Sequence, residues 1–259
     1  MNIPEITLVA GFAGSGKTAW IRQQIQDVAS AGDENIIYFS PGTGNVPIDQ
    51  TIISAEFPQI QVFRDGEEVE FTQQIPSAKL VYIELGFYLE LGSLSGLLEY
   101  FSHRKVAVLP TQIKDSEYHP WADEIIPGIP IKTDLSAKLW RVITEGQVVD
   151  EDSLEEFWYE TIHGAYGDVS RAKAVFDVND GRSIYCDFVA GIPPTEFLEL
   201  NLPRHLSGRP QRFSGIEVVG KNLDETILKQ TLSDCCLSDT LILQYQQQVK
   251  EILSQGMEL

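Results

Sequence analysis

The sequence predicts a layered α/β domain with a largely parallel sheet, followed by a smaller α+β domain. Three observations carry this. In the N-terminal half, apolar runs of strand length alternate with helically spaced apolar residues. A glycine-rich turn joins the first such run to the first such helix. Beyond residue 165 the pattern changes to two strand runs around an Asp-Gly turn and then two helical stretches. The change of character lies at 145–165, and the expected domains are residues 1–150 and 151–259.

The elements follow in order. Residues 6–10 (Ile-Thr-Leu-Val-Ala) read as a buried strand stopped by Gly11. Trp20 or Ile21, Ile25 and Val28 then recur at helical spacing. Gly32-Asp33 breaks that helix, and 35–39 form a second strand, stopped by Ser40-Pro41-Gly42-Thr43-Gly44. Residues 60–63 and 69–71 flank Asp65-Gly66 and predict a hairpin. Apolar runs at 80–83 and 106–109 predict two more strands. Asp152-Ser153 is expected to cap a helix over 154–162, ended by Gly164. Strands at 173–178 and 183–189 surround Asn179-Asp180-Gly181, a hairpin signal. The Pro-rich stretch 191–210 reads as a long connection containing a short strand, and 216–219 as the last strand. Asp224 caps a helix with Ile227, Leu228, Leu232 and Cys235 on one face, and a final helix runs over about 239–253.

Composition narrows the function. The 259 residues are 43% hydrophobic, enough for an ordinary core. The 19 Lys and Arg stand against 38 Asp and Glu, a net charge of −19, spread evenly along the chain. Such a chain is repelled by a polyphosphate backbone or an anionic bilayer, so neither nucleic acid nor membrane is an expected partner. The three cysteines, Cys186, Cys235 and Cys236, are too few and too clustered for a disulfide framework. The apolar runs are far shorter than a membrane span, and no basic region precedes the first one. The expected place is the cytoplasm.

One motif carries chemistry. Gly11-Phe12-Ala13-Gly14-Ser15-Gly16-Lys17-Thr18 fits G-x-x-x-x-G-K-[ST], the phosphate-binding P-loop. Its glycines let backbone N–H groups turn inward on phosphate oxygens, and the following helix presents its positive end. Lys17 would neutralise β- and γ-phosphate charge, and the Thr18 hydroxyl would ligate Mg²⁺. The predicted fold of residues 1–150 is therefore that of a P-loop NTPase.

The loop resembles the GFxGSGKT loop of CobW-type GTPases, a class with HypB and UreG relatives. Arg171-Ala172-Lys173-Ala174, followed by a strand, Gly181 and a strand ending Val189-Ala190-Gly191, resembles the start of the CobW C-terminal domain. Arg212-Phe213 through Val218-Val219-Gly220-Lys221-Asn222-Leu223-Asp224, then a helix ending Asp234-Cys235-Cys236, resembles its close. The resemblance implies a GTP-binding protein that hydrolyses GTP slowly with Mg²⁺ and is linked to metal delivery or metallocofactor assembly, with zinc or cobalt and a client protein as partners. It implies that Gly11, Gly14, Ser15, Gly16, Lys17 and Thr18 hold the phosphates. Glu84, in a stretch reading Glu-Leu-Gly, falls where the family has its Glu near Mg²⁺ and the attacking water. Ile131-Lys132-Thr133-Asp134-Leu135 resembles the guanine-reading stretch, so that Asp134 would accept from guanine and Lys132 would pack on the base. Asp49 falls in the region of the family's switch.

The chain departs from the family in three ways. Ile131 replaces the Asn of the base-reading stretch. The Glu84 stretch is short. The Cys-x-Cys-Cys metal motif is missing, and no Cys precedes Cys186. These departures favour the alternative, a degenerate nucleotide-binding relative with a regulatory or scaffold role through protein contacts. An ATP-using P-loop kinase is a third reading. Among the smaller signals, Cys235 and Cys236 point about 100° apart on a helix, one expected in the core and one at its rim. Arg171 and Lys173 are expected in salt bridges. His103-Arg104 and Tyr118-His119-Pro120-Trp121 are expected to be packing or surface residues.

Overall fold

Residues 6–10 of the strand Glu5–Ala10 (β1) can all be buried because both faces of its sheet are covered. The computed structural model describes residues 3–29, 35–131 and 137–255. The chain divides into two units, Met1–Thr133 and Asp134–Leu259. The first continues with α1 (Lys17–Ala29), β2 (Ile36–Phe39), α2 (Ile48–Glu56), β3 (Gln61–Phe63) and α3 (Glu68–Gln74). It closes with β4 (Leu80–Glu84), β5 (His103–Pro110), the single turn α4 (Tyr118–Trp121) and β6 (Glu124–Gly128). The six strands form one sheet in the order β3-β2-β4-β1-β5-β6, every pair parallel.

Side chains alternate across this sheet. Leu8, Ala10, Ile37, Phe39, Ile83 and Ala107 pack on one face with Phe71, Ile75 and Leu98. Val9, Ile36, Tyr38, Tyr82 and Val108 pack on the other with Ile21 and Ile25 of α1 and Ile53 of α2. Because all strands run the same way, β1, β2 and β4 end on one edge. Whatever follows Ala10, Phe39 and Glu84 is thereby gathered in one place.

One expectation for this unit is corrected. Residues 60–71 are not a hairpin: β3 pairs in parallel with β2, and Asp65-Gly66 leads into α3. Glu68 and Glu70 lie in the first turn of that helix, where carboxylates suit the positive end, and Phe71 is fully buried. The Asp65 carboxylate accepts from the backbone N–H groups of Gly42 and Gly44. The Asp-Gly pair thus anchors the loop after β2 rather than folding a strand back. Residues 138–143 form a strand of the second unit. The expected break at Gly32-Asp33 lies outside the described residues.

The second unit comprises β7 (Lys138–Ile143), α5 (Glu151–Ile162), β8 (Asp168–Asp177) and β9 (Ser183–Val189). It continues with β10 (Leu198–Glu199), β11 (Gly215–Lys221), α6 (Glu225–Asp234) and α7 (Asp239–Ser254). Its sheet runs β10-β9-β8-β11-β7, with every pair antiparallel. Leu154, Phe157 and Trp158 of α5 and Leu228 and Leu232 of α6 pack on Ala172, Ala174, Phe176, Ile184, Ile216 and Val218 of the sheet.

The Asp-Gly hairpin forms as expected. Gly181 has φ 87°, and a Cβ there would meet the His205 carbonyl oxygen at 2.8 Å. Asp224 caps α6 through the Ile227 N–H, but Ile227 itself is half exposed. The cap of α5 is Asp150, which accepts from the Ser153 N–H and hydroxyl, rather than Asp152-Ser153. No helix among the described residues is long and apolar enough to cross a membrane.

Candidate functional site

The residues between β1 and α1 turn on three glycines with positive φ: Gly11 at 147°, Gly14 at 74° and Gly16 at 99°. At Gly11 the need is also steric, since a Cβ would lie 2.3 Å from the Val108 carbonyl oxygen and 3.0 Å from Ser15 Oγ. The loop is pinned from both sides. The Ser15 N–H donates to the Phe12 carbonyl at 3.2 Å, and the Ile129 N–H donates to the Ser15 carbonyl at 3.0 Å. The Phe12 ring meets Tyr118 edge-on, with centroids 5.0 Å apart. α1 then starts at Lys17, so its first-turn N–H groups, which have no intrahelical acceptors, open at the loop.

Lys17 is almost fully buried, and its ammonium donates to the carbonyls of Gly11 and Phe12, both at 3.1 Å. The side chain folds back over the loop that a phosphate would enter. Ser15 Oγ is buried beside it without a hydrogen-bond partner among the described residues.

The next residue ties the loop to the ends of β2 and β4. The Thr18 hydroxyl donates to Glu84 Oε1 at 2.9 Å, and Asp49 Oδ1 lies 3.5 Å from the same hydroxyl. Glu84 is the last residue of β4, held beside Val9 of β1 by the parallel register. Asp49 comes from the first turn of α2, where a carboxylate suits the helix end. Both acids are more than nine-tenths buried. The other oxygen of Glu84, Oε2, accepts from the Tyr38 hydroxyl at 2.9 Å. Burial, reinforced by the negative charges of Glu84 and Asp49, pushes the Tyr38 phenol well above its ordinary range. Tyr38 is therefore a neutral, permanent donor to this carboxylate. Gln50 supports the loop after β2 by donating to the Ser40 carbonyl at 2.8 Å and to the Thr43 hydroxyl at 3.0 Å.

The fold thus brings Gly11, Gly14, Ser15, Gly16, Lys17, Thr18 and Glu84 together. It adds Asp49 directly against Thr18. Sequence reasoning missed Tyr38 and Gln50: one lies inside an apolar strand, the other in a helix without an apolar stripe. Lys132 and Asp134 lie outside the described residues. Their neighbour Ile131 is buried, and its carbonyl accepts from Gln112 Nε2 at 2.7 Å.

The smaller candidates take structural places. Cys235 is buried, and burial first, then neighbouring acidic groups, pushes its thiol up to about 11. Cys236 is half-buried at the rim. Arg171 pairs with Asp187, and Lys173 with Glu217 at 3.5 Å. His103 Nδ1 donates to the Phe101 carbonyl at 3.0 Å, and His119 Nδ1 lies 2.9 Å from Ser116 Oγ. Among the described residues no group of three or more His, Cys, Asp or Glu converges as a metal site.

No protein-family profile and no curated sequence matches the chain. Among solved structures it is similar to the Zn(II)-bound YjiA GTPase from E. coli, with 12% identity, TM-score 0.33, and coverage of 91% of this chain and 99% of that one. A Zn(II)-bound triple mutant of the same GTPase matches with 12% identity, TM-score 0.32 and the same coverage.

Proposed function

We propose that the chain binds GTP at residues 11–18 and hydrolyses it slowly with Mg²⁺. One observation carries the reading. A loop that only glycines can form opens onto a helix start, with a buried Lys17 folded over it and Thr18 held between two buried carboxylates. The phosphates would rest on the amides of residues 14–18. Lys17 would exchange the Gly11 and Phe12 carbonyls for β- and γ-phosphate oxygens, a charge-assisted bond replacing neutral acceptors.

The donors around Thr18 are all oxygen (one hydroxyl and the carboxylates of Glu84 and Asp49), which suits a hard divalent cation. The Thr18 proton points to Glu84, which leaves the hydroxyl lone pairs for that cation. When bound, Mg²⁺ supplies neutralisation of the charge on the terminal phosphates. Glu84 would orient the attacking water, with Tyr38 fixing the carboxylate. Catalysis would then be positioning and electrostatics. Guanine would be read by Asp134 and Lys132.

Phosphate release from GTP, compared with Lys17→Ala, tests the reading. A magnesium-dependent rate lost in the variant supports it, and an identical background in both proteins refutes hydrolysis. The alternative reading is favoured by Ile131 and by the lack of any Cys before Cys186: a nucleotide-binding regulatory or scaffold protein. It predicts binding without turnover. Transport of zinc or cobalt to a client rests on the resemblance alone, and dialysis against Zn²⁺ and Co²⁺ with and without GTP tests it.

A further inference from the structure

We propose that Asp65 is a positioning residue of the nucleotide site: by clamping the loop between β2 and α2 it holds the Asp49 carboxylate against Thr18. The inference rests on the function proposed above and adds to it a residue outside the phosphate loop.

The parallel register brings Asp65 to the clamped loop. Phe39 of β2 pairs with Phe63 of β3, so the two chains leave the sheet side by side and Asp65 comes level with the start of the loop. Its carboxylate accepts from two backbone N–H groups, that of Gly42 through Oδ1 at 2.7 Å and that of Gly44 through Oδ2. Both glycines have positive φ, 80° and 59°. Hydrogen bonds to a charged acceptor are roughly twice as strong as neutral ones. Gly42 also lies against Leu89, whose side chain a Cβ would meet at 2.9 Å.

The clamp reaches Asp49 through Gln50. The N-cap of α2 is Pro47, which supplies no side-chain hydrogen bond, so the helix start takes its place from the loop before it. Gln50 is fully buried and donates to the Ser40 carbonyl at 2.8 Å and to the Thr43 hydroxyl at 3.0 Å. Thr43 lies between the two clamped glycines. Asp49, the neighbour of Gln50 in the first turn, is thereby set 3.5 Å from the Thr18 hydroxyl. Ser40 Oγ donates to the Glu84 carbonyl at 3.3 Å, so the same loop is tied to the second carboxylate of the site. Without Asp65 the loop loses both bonds at its tip, and Asp49 is no longer confined to the place where it would meet the cation.

Three variants test this: Asp65→Ala, Asp49→Asn and the two combined. Asp65 is partly exposed, so its removal leaves the core intact. GTP is titrated calorimetrically into each chain, with Mg²⁺ and with a chelator in its place. The gain in GTP affinity that Mg²⁺ brings is expected to fall about tenfold in Asp65→Ala, with the magnesium-free affinity within about twofold of the unaltered chain. In Asp49→Asn the gain is expected to fall at least as far. Adding Asp65→Ala to Asp49→Asn is expected to change it by less than about twofold, because nothing is left to position. Without nucleotide, the Gly42 and Gly44 amides are expected to exchange hydrogen at least about tenfold faster in Asp65→Ala, with the amides of α1 unchanged.

An unchanged magnesium gain in Asp65→Ala, or a full further loss in the combined variant, overturns the proposal. So do Gly42 and Gly44 amides that exchange as before. A magnesium gain in the unaltered chain shows that such a failure belongs to Asp65 alone. Its absence there refutes the nucleotide reading and this inference with it.

Discussion

At the scale of single residues, the site is organised around the Glu84 carboxylate. One oxygen receives the Thr18 hydroxyl and the other the Tyr38 hydroxyl, each at 2.9 Å. Tyr38→Phe removes one donor and leaves the ring packing intact. It is expected to lower the hydrolysis rate about tenfold and leave GTP affinity within twofold, because Tyr38 touches the carboxylate and not the phosphate loop. A loss of affinity equal to the loss of rate would contradict that role. The same residue has a pH signature. Its folded pKa lies above the unfolded value near 10. Its contribution to stability is therefore complete below about pH 10 and is lost as pH rises beyond it. Alkaline unfolding curves of the unaltered chain should show a loss above about pH 10 that is smaller in Tyr38→Phe, the remainder coming from Tyr82, Tyr118 and Tyr166, which burial also raises. None of this was readable in the apolar strand that contains Tyr38. The glycines and Lys17 were readable, because only one backbone shape makes sense of that spacing.

Elements were readable in proportion to how one-sided their burial is. α1 buries Ile21 and Ile25 and exposes much of the rest, so its period showed. α2 buries Asp49, Gln50 and Thr51 as well as its isoleucines, so no polar face marked it as a helix. β6 is hidden for the opposite reason: it stands at the sheet edge with none of its five residues buried, so no apolar face marked it. The hairpin expected around Asp65-Gly66 failed because a turn signal says where the chain bends and not what it pairs with. Caps are the elements' most local stabilisers. Asp150 takes two hydrogen bonds from Ser153 at the start of α5. Asp150→Ala is expected to cost about 1 kcal/mol, a fall in Tm of roughly 2–4 °C, measured by thermal unfolding. An unchanged Tm would remove Asp150 as the cap.

For the whole molecule, the tension is between a net charge of −19 and the proposed triphosphate ligand. The parallel topology brings the ends of β1, β2 and β4 to one edge, where buried Lys17 and the opening of α1 would form a local trap under the proposed function. That convergence is why Asp49 and Glu84, far apart in the chain, meet one hydroxyl, a relation that sequence spacing does not encode. Because the trap is local and the surrounding field repulsive, the association rate of GTP should rise as ionic strength increases from about 0.01 to 0.15 M. A falling rate in stopped flow would show that attraction dominates at long range. The most direct test of the account as a whole is calorimetric titration of GTP with Mg²⁺ into the unaltered chain and into Lys17→Ala. The account predicts one GTP per chain, weakened at least about tenfold in the variant and by removal of Mg²⁺. No heat with either GTP or ATP, or the same isotherm for both proteins, would contradict it.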